Sequence, residues 1–227
     1  KPLDHKAMVN AQKCWDSIAK PLHSLGKLET LLIHIAGNTG NAEVDLSRRG
    51  LIAMCADNGV VEEGVTQTGQ EVTAIVAENF LKYDTSVCVM CKQNHAEIFP
   101  VDMGMVTDTK VRTDHKIAYG TQNMTKGPAM TREQAVKGLE AGIDMVRELN
   151  DKGYRILATG EMGIGNTTTS SAVASVLLKQ PVEEMTGRGA GLTSEGLVRK
   201  INAIKKAITL NKPDPEDAID VLAKVGG

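Results

Sequence analysis

Apolar positions change period along the chain, and each change marks an element. Between residues 6 and 19, Val9, Trp15, Ile18 and Ala19 fall on one side of a helix. "KPLHSLGKLETLLIHIAG" follows as a turn containing Pro21 and Gly26, then a short helix from about Lys27 to Ala36. "GLIAMCADNGV" is a nearly unbroken apolar run ending in Asp-Asn-Gly, the pattern of a buried strand that empties into a tight turn. "QEVTAIVAENFLK" returns to helical spacing, with Val72, Ile75, Val76 and Phe80 on one face. "TSVCVMCKQ" reads as a small-residue helix, and "HAEIFPVDMGM" as a second apolar strand.

Residues 105–130 are polar and irregular. "TREQAVKGLEAGIDMVRELNDKG" predicts a long helix that Thr131 caps and Gly153 closes. "YRILATG" is a third strand, followed by a helix from about Thr167 to Lys179 and two more around 194–210 and 214–225, the first capped by Ser194. Strands alternating with crossover-length helices predict an α/β, Rossmann-like fold, a parallel sheet with helices on both faces. No internal repeat, low-complexity segment or composition shift marks a domain boundary.

Composition narrows the classes. The 227 residues suit one large domain, or one domain with an appendage, and the formal charge of -2 gives no electrostatic reason to expect nucleic acid binding. Aromatics make up only 3% of the chain, so the core must be aliphatic with methionine as filler. No apolar run approaches the ~20 residues of a membrane span. The opening "KPLDHKAMVN" holds no signal-peptide hydrophobic run, which points to a cytoplasmic protein. Cys88 and Cys91 form a C-x2-C pair near His95, yet no second pair completes a tetrahedral metal set, and buried thiols are the expectation. His23, His34, His95 and His115 lack metal spacing, and Glu62 with Glu63 read as a solvated pair.

Three strand ends carry related chemistry: "CADNG" (55–59), "VDMG" (101–104) and "TGEMGIGNTTT" (159–169). In an open parallel sheet, ligands sit beyond the carboxyl ends of strands, so all three should open on one edge. Glycines in the third stretch let the backbone approach an anion, and the following helix adds free N–H groups and a positive dipole end. Asn166, Thr167, Thr168 and Thr169 add side-chain donors. The order Gly-x-x-Gly-x-Gly matches neither a Walker A loop nor a dinucleotide fingerprint. A phosphate cradle and a plain helix-initiating turn both fit. Glu161 is awkward beside phosphate but suits a ribose, or positive charge developing at a sugar carbon; a capping or ion-paired Glu fits as well. Gly187, Gly189, Gly191 and Arg188 form a second glycine-rich stretch, and Thr66 and Gln70 could line a pocket for a flat heterocycle.

"GEMGIGNTTTSSAV", "GRGAGLTSEGLVRK", "ADNGVVEEGVTQTGQEVT", "KPLHSLGKLE" and "NMTKGPAMT" together closely resemble the nicotinate-nucleotide–dimethylbenzimidazole phosphoribosyltransferase family of cobalamin nucleotide-loop assembly, across essentially the whole chain. The resemblance implies transfer of the ribosyl phosphate of nicotinate mononucleotide to 5,6-dimethylbenzimidazole, giving α-ribazole 5′-phosphate and nicotinate. It implies a smaller helical part that takes in residues 1–40, an α/β phosphoribosyl-binding domain over residues 41–227, a homodimer, and neither metal nor cofactor. It assigns the phosphoribosyl group to Glu161, Gly163, Gly165, Asn166, Thr167, Gly187, Arg188, Gly189 and Lys200, and the base to Thr66, Gln70 and Met162. The family's general base is a Glu in a C-terminal Gly-Glu-Gly-Thr-Gly-like motif. That motif is absent from residues 1–227, so a weak or inactive fragment is expected, with no catalytic residue assigned beyond a supporting Glu161. A noncatalytic binding module and a phosphate-loop nucleotide-binding enzyme stand as alternatives.

Overall fold

The computed structural model describes residues 2–227. The chain falls into two compact units, Lys1–Arg48 and Arg49–Gly227.

The first unit is a helical hairpin of α1 (His5–Ser17) and α2 (Lys27–Thr39). Asp4 caps α1 by accepting from the Ala7 N–H at 3.0 Å. The buried stripe of α1 is Ala7 and Ala11, with Trp15 half-buried; Val9 and Ile18, expected inside, stand outward. Alanines four apart allow two helix backbones to approach closely, which larger side chains would prevent. Glu29 is buried and is held by Lys20 at 2.8 Å.

The second unit holds the sheet. Its strands are β1 (Arg49–Ala56), β2 (Ala96–Gly104) and β3 (Ile156–Met162), all parallel, in the order β2-β1-β3. Helices α3 (Glu71–Leu81) and α4 (Ser86–Gln93) cover one face, and α5 (Arg132–Asp151) covers the other. Alternation along β1 divides the core: Ala53 and Cys55 pack with Ala74, Ala77, Phe80 and Cys88, while Ile52 packs with Met145, Leu149 and Tyr154. The rings of Phe99 and Tyr154 meet edge to face at 5.1 Å. Cys88 and Cys91 are buried free thiols on α4. On α3 it is Thr73, Ala74, Ala77 and Phe80 that are buried, while Ile75 faces outward.

After β3 come α6 (Asn166–Leu177), α7 (Val182–Met185), α8 (Ser194–Asn211) and α9 (Ala218–Val225). Ala172, Val182, Ile204, Ala207, Val221 and Val225 gather these four helices around one aliphatic core, which also takes Val60 and Val65 from the segment after β1. Three boundaries differ from the sequence reading. Thr193, not Ser194, caps α8, accepting from the Gly196 N–H at 3.1 Å. α9 begins at Ala218 because Asp217 caps it. β3 continues through Met162, since Glu161 and Met162 pair with Met54 and Cys55.

Residues 105–130 contain no helix or strand of their own, so their backbone bonds to neighbouring segments, the Ile117 N–H to Met103 O at 2.9 Å, the Thr121 N–H to Asp57 O at 3.0 Å and the Ala129 N–H to Lys224 O at 3.1 Å, and buried side chains add further partners. Asp57 accepts from the Val106 N–H at 2.9 Å and Asp102 from the Met105 N–H at 2.7 Å. Both carboxylates are fully buried, and Lys116 stands 3.1 Å from Asp102. Glu63 accepts from the Thr125 hydroxyl at 2.7 Å and the Asn123 amide at 2.8 Å. Glu62 pairs with Lys126 at 2.6 Å. These two glutamates are staples between segments rather than a merely solvated pair.

Candidate functional site

The three strand ends come out level. Cys55 lies opposite Asp102 on one side and Met162 on the other, so the turns after β1, β2 and β3 share one edge. The chain leaves β3 through Gly163 and enters α6 at Asn166 with Gly165 as its cap, at φ 92°. An added Cβ at Gly163 would lie 2.3 Å from the Ala56 carbonyl oxygen, so the loop passes too close to β1 for any side chain.

The hydrogen bonding of this loop determines what it can hold. The Asn166 N–H returns to Gly163 O at 3.0 Å and the Thr168 N–H to Gly165 O at 2.9 Å. The Ile164 N–H donates to Thr73 Oγ1 at 3.0 Å, and Asn58 Nδ2 donates to Ile164 O at 3.1 Å. Among the described residues, the N–H groups of Gly165 and Thr167 meet no protein acceptor. Two backbone donors at a helix N-terminus therefore remain for a ligand, where the helix dipole favours negative charge.

A cavity of about 190 Å³ opens over this loop. Its floor includes Glu161, Met162, Gly163, Gly165, Asn166 and Thr167. Its rim adds Thr66, Arg188 and Gly189. Behind Thr167 lies Lys200, only 1% exposed, with Nζ donating to Thr167 Oγ1 at 2.7 Å and to Gly187 O at 3.1 Å. No carboxylate among the described residues pairs with it, and burial pulls its pKa below the ordinary lysine value. A Cβ at Gly189 would stand 2.8 Å from Thr167 Oγ1 and 3.5 Å from Lys200 Nζ, so glycine keeps the space over the ammonium clear.

Glu161 lines both this cavity and a second one of about 260 Å³ on the other side of the strand ends, walled by Met54, Met103, Ile117 and Leu222. Solvent reaches its side chain, but the surrounding protein still pushes its carboxyl above the ordinary carboxylate range, and a hydrogen bond with Asn166 pulls partly back.

Several residues are placed differently from a simple ligand shell. The Arg188 guanidinium turns into its own loop, donating to Leu192 O at 2.8 Å and Ser194 Oγ at 3.2 Å. Gln70 does not line the cavity; its amide donates to Asn58 O at 3.0 Å. The Thr66 hydroxyl donates to Thr68 O at 2.8 Å. Gln67 reaches across to Gly191 O and joins the two rims. Lys200 and Gly187 lie one layer behind the lining.

A family model described as phosphoribosyltransferase matches residues 1–227. The chain belongs to this phosphoribosyltransferase family. Among its relatives, the nicotinate-nucleotide–dimethylbenzimidazole phosphoribosyltransferase of Ruminiclostridium cellulolyticum is 51% identical over 100% of this chain and 65% of its own length. The enzyme of the same name from Clostridium acetobutylicum is 51% identical over 99% of this chain and 64% of its own length. The crystal structure of CobT from Thermus thermophilus superposes with a TM-score of 0.88 at 35% identity, covering 98% of this chain and 67% of that one. The chain thus spans about 65% of the length of the curated relatives it matches. Within this chain, sequence reading missed Asn58 and Thr73 as partners of the glycine loop. Asn58 carried a weak signal in its Asp-Asn-Gly turn; Thr73 carried none beyond a polar residue on an apolar helix face.

Proposed function

We propose that this chain binds the ribosyl phosphate of nicotinate mononucleotide and takes part in its transfer to 5,6-dimethylbenzimidazole. The observation that carries the reading is Lys200: a buried ammonium without a carboxylate, set behind Thr167, where two backbone N–H groups are free. A phosphate seated there would restore the missing counter-charge. The names of the relatives supply the two substrates.

The chemistry suits the geometry. The bond from the ribose anomeric carbon to the pyridinium nitrogen breaks, and its electron pair leaves with nicotinate as a neutral ring nitrogen, so no general acid is needed. A benzimidazole nitrogen forms the new bond on the opposite face, inverting that carbon, and the proton on its other nitrogen passes to water, no general base being assigned within residues 1–227. Positive charge develops on the ribose as the old bond lengthens, and Glu161 on the cavity floor would oppose that charge. Holding both reactants at one sheet edge supplies the remainder by orientation. Thr66 and Met162 border the side where a flat base would lie, with Gln70 shaping the turn behind it. A cytoplasmic homodimer accompanies this reading. In the described residues no helix is long and apolar enough to cross a membrane.

Calorimetric titration with nicotinate mononucleotide, followed by an assay of nicotinate release with dimethylbenzimidazole, tests the proposal. Saturable binding that Lys200→Met weakens supports it. Binding of adenosine triphosphate without binding of the mononucleotide would sink it.

A further inference from the structure

The geometry points to Thr73 and Asn58 as positioning residues that hold the glycine loop ready for its anion. Ile164 sits between Gly163 and Gly165, at the crest of the loop. Both of its backbone polar groups are taken by side chains from elsewhere in the fold: its N–H by Thr73 of α3 at 3.0 Å, and its carbonyl by Asn58 of the turn after β1 at 3.1 Å. Thr73 is 0% exposed and Asn58 3%, so water does not substitute for either bond.

Each clamp is itself held. Gln70 donates to the Asn58 carbonyl at 3.0 Å, and the Thr169 hydroxyl approaches Asn58 Oδ1 at 3.4 Å. Thr73 lies in the first turn of α3 and its hydroxyl also leans on Asp57, whose carboxyl burial pushes up while the Val106 N–H and Thr73 pull it down. The loop between β3 and α6 is therefore tied to the β1 turn and to α3 at one residue.

The consequence for binding follows from which amides are used. With Ile164 pinned at both ends, its own N–H and carbonyl are used within the protein, and because the C=O and N–H of a trans peptide point opposite ways, the Asn58 bond to that carbonyl aims the Gly165 N–H away from Asn58. The N–H groups of Gly165 and Thr167, two residues that line the cavity, are left unbonded, with Lys200 held on the Thr167 hydroxyl. A loop fixed before the ligand arrives loses less freedom on binding, so part of the affinity resides in residues that never touch the ligand. This inference rests on the proposed anion site and adds to it the two residues that shape that site.

The test compares Thr73→Val, which keeps the shape and removes the acceptor, with Thr73→Ser, which keeps the acceptor. Two quantities are measured on the whole chain: hydrogen exchange of the amides from Gly163 to Thr167 without ligand, and affinity for nicotinate mononucleotide. Expected in Thr73→Val are at least 10-fold faster exchange confined to this loop and about 10-fold weaker binding, the worth of roughly one hydrogen bond. Thr73→Ser should restore both. Wild-type affinity in Thr73→Val, or faster exchange spread evenly over the sheet, overturns the inference while leaving the anion site intact. A wild-type chain that binds no mononucleotide overturns the proposed function instead, and the affinity part of this inference with it.

Discussion

Lys200 Nζ donates to Thr167 Oγ1 across 2.7 Å and has no carboxylate partner among the described residues. A buried cation without a counter-charge is costly to the folded chain unless something else supplies the charge. That relationship separates a binding role from a structural one, because the two roles give opposite signs on mutation.

Replacing the lysine should improve the empty protein and spoil the loaded one. Lys200→Met keeps the length and removes the charge. We expect thermal stability without ligand to hold or rise, and affinity for nicotinate mononucleotide to fall on the order of 10²-fold, as for a charged hydrogen bond lost. Calorimetric melting and titration of the same preparation give both numbers.

The pH dependence has a definite sign. Burial lowers the Lys200 pKa below its ordinary value of 10.5. Between the folded and unfolded values, the unfolded chain holds the extra proton, so the stability of the empty protein rises with pH across that window. Anion binding favours the ammonium, so affinity should fall as pH rises through the folded value. Lys200→Met should flatten both slopes.

Glu161 offers the opposite case. Its carboxyl is raised from 4.5 by burial, so the folded chain holds the proton longer and stability falls as pH rises through that window. Glu161→Gln should therefore not weaken the empty protein at neutral pH. Mononucleotide affinity should stay level or increase, since a negative neighbour of the phosphate is gone. Nicotinate release in an active preparation should drop about 10²-fold. Single-turnover assays would show the split.

Glycine tolerance should differ sharply between two positions. Gly163→Ala places a Cβ against the Ala56 carbonyl, and the loop or β1 must shift. A loss of about 1–3 kcal/mol is expected, together with loss of mononucleotide binding. Gly187→Ala meets nothing within 4 Å and should leave stability unchanged. Denaturant melts of the two variants make the comparison.

Much of this was legible beforehand, for physical reasons. The three strands announced themselves as short apolar runs ending in Gly-rich turns, and a parallel sheet then required those turns to share an edge. The glycine loop at the start of α6 was readable because glycine spacing and helix-start signals are local properties. What remained hidden depends on contacts across the fold. Thr73 looked like a minor flaw in an amphipathic helix until α3 was set beside the loop. The outward Val9 and Ile18 of α1 were expected inside because size alone was weighed, while the hairpin closed on Ala7 and Ala11. Glu62 and Glu63 gained their roles only when Asn123 and Thr125 arrived from 60 residues later or more.

Reagent access should reflect the core. Cys55, Cys88 and Cys91 are buried, and burial drives the Cys55 thiol up to about 12. A thiol reagent should label Cys14 alone in the folded chain and all four cysteines after denaturation, as counted by mass.

Because β1 is bonded on both sides, its length acts as a ruler for the whole edge. One residue added within it would invert its inward and outward faces and carry Asn58 out of step with both neighbours. One residue added near Asp108, on the exposed bend beyond β2, would be absorbed locally. Length variation should therefore be forbidden in the middle of the sheet and permitted at that bend, and a library of single-residue insertions would trace the difference.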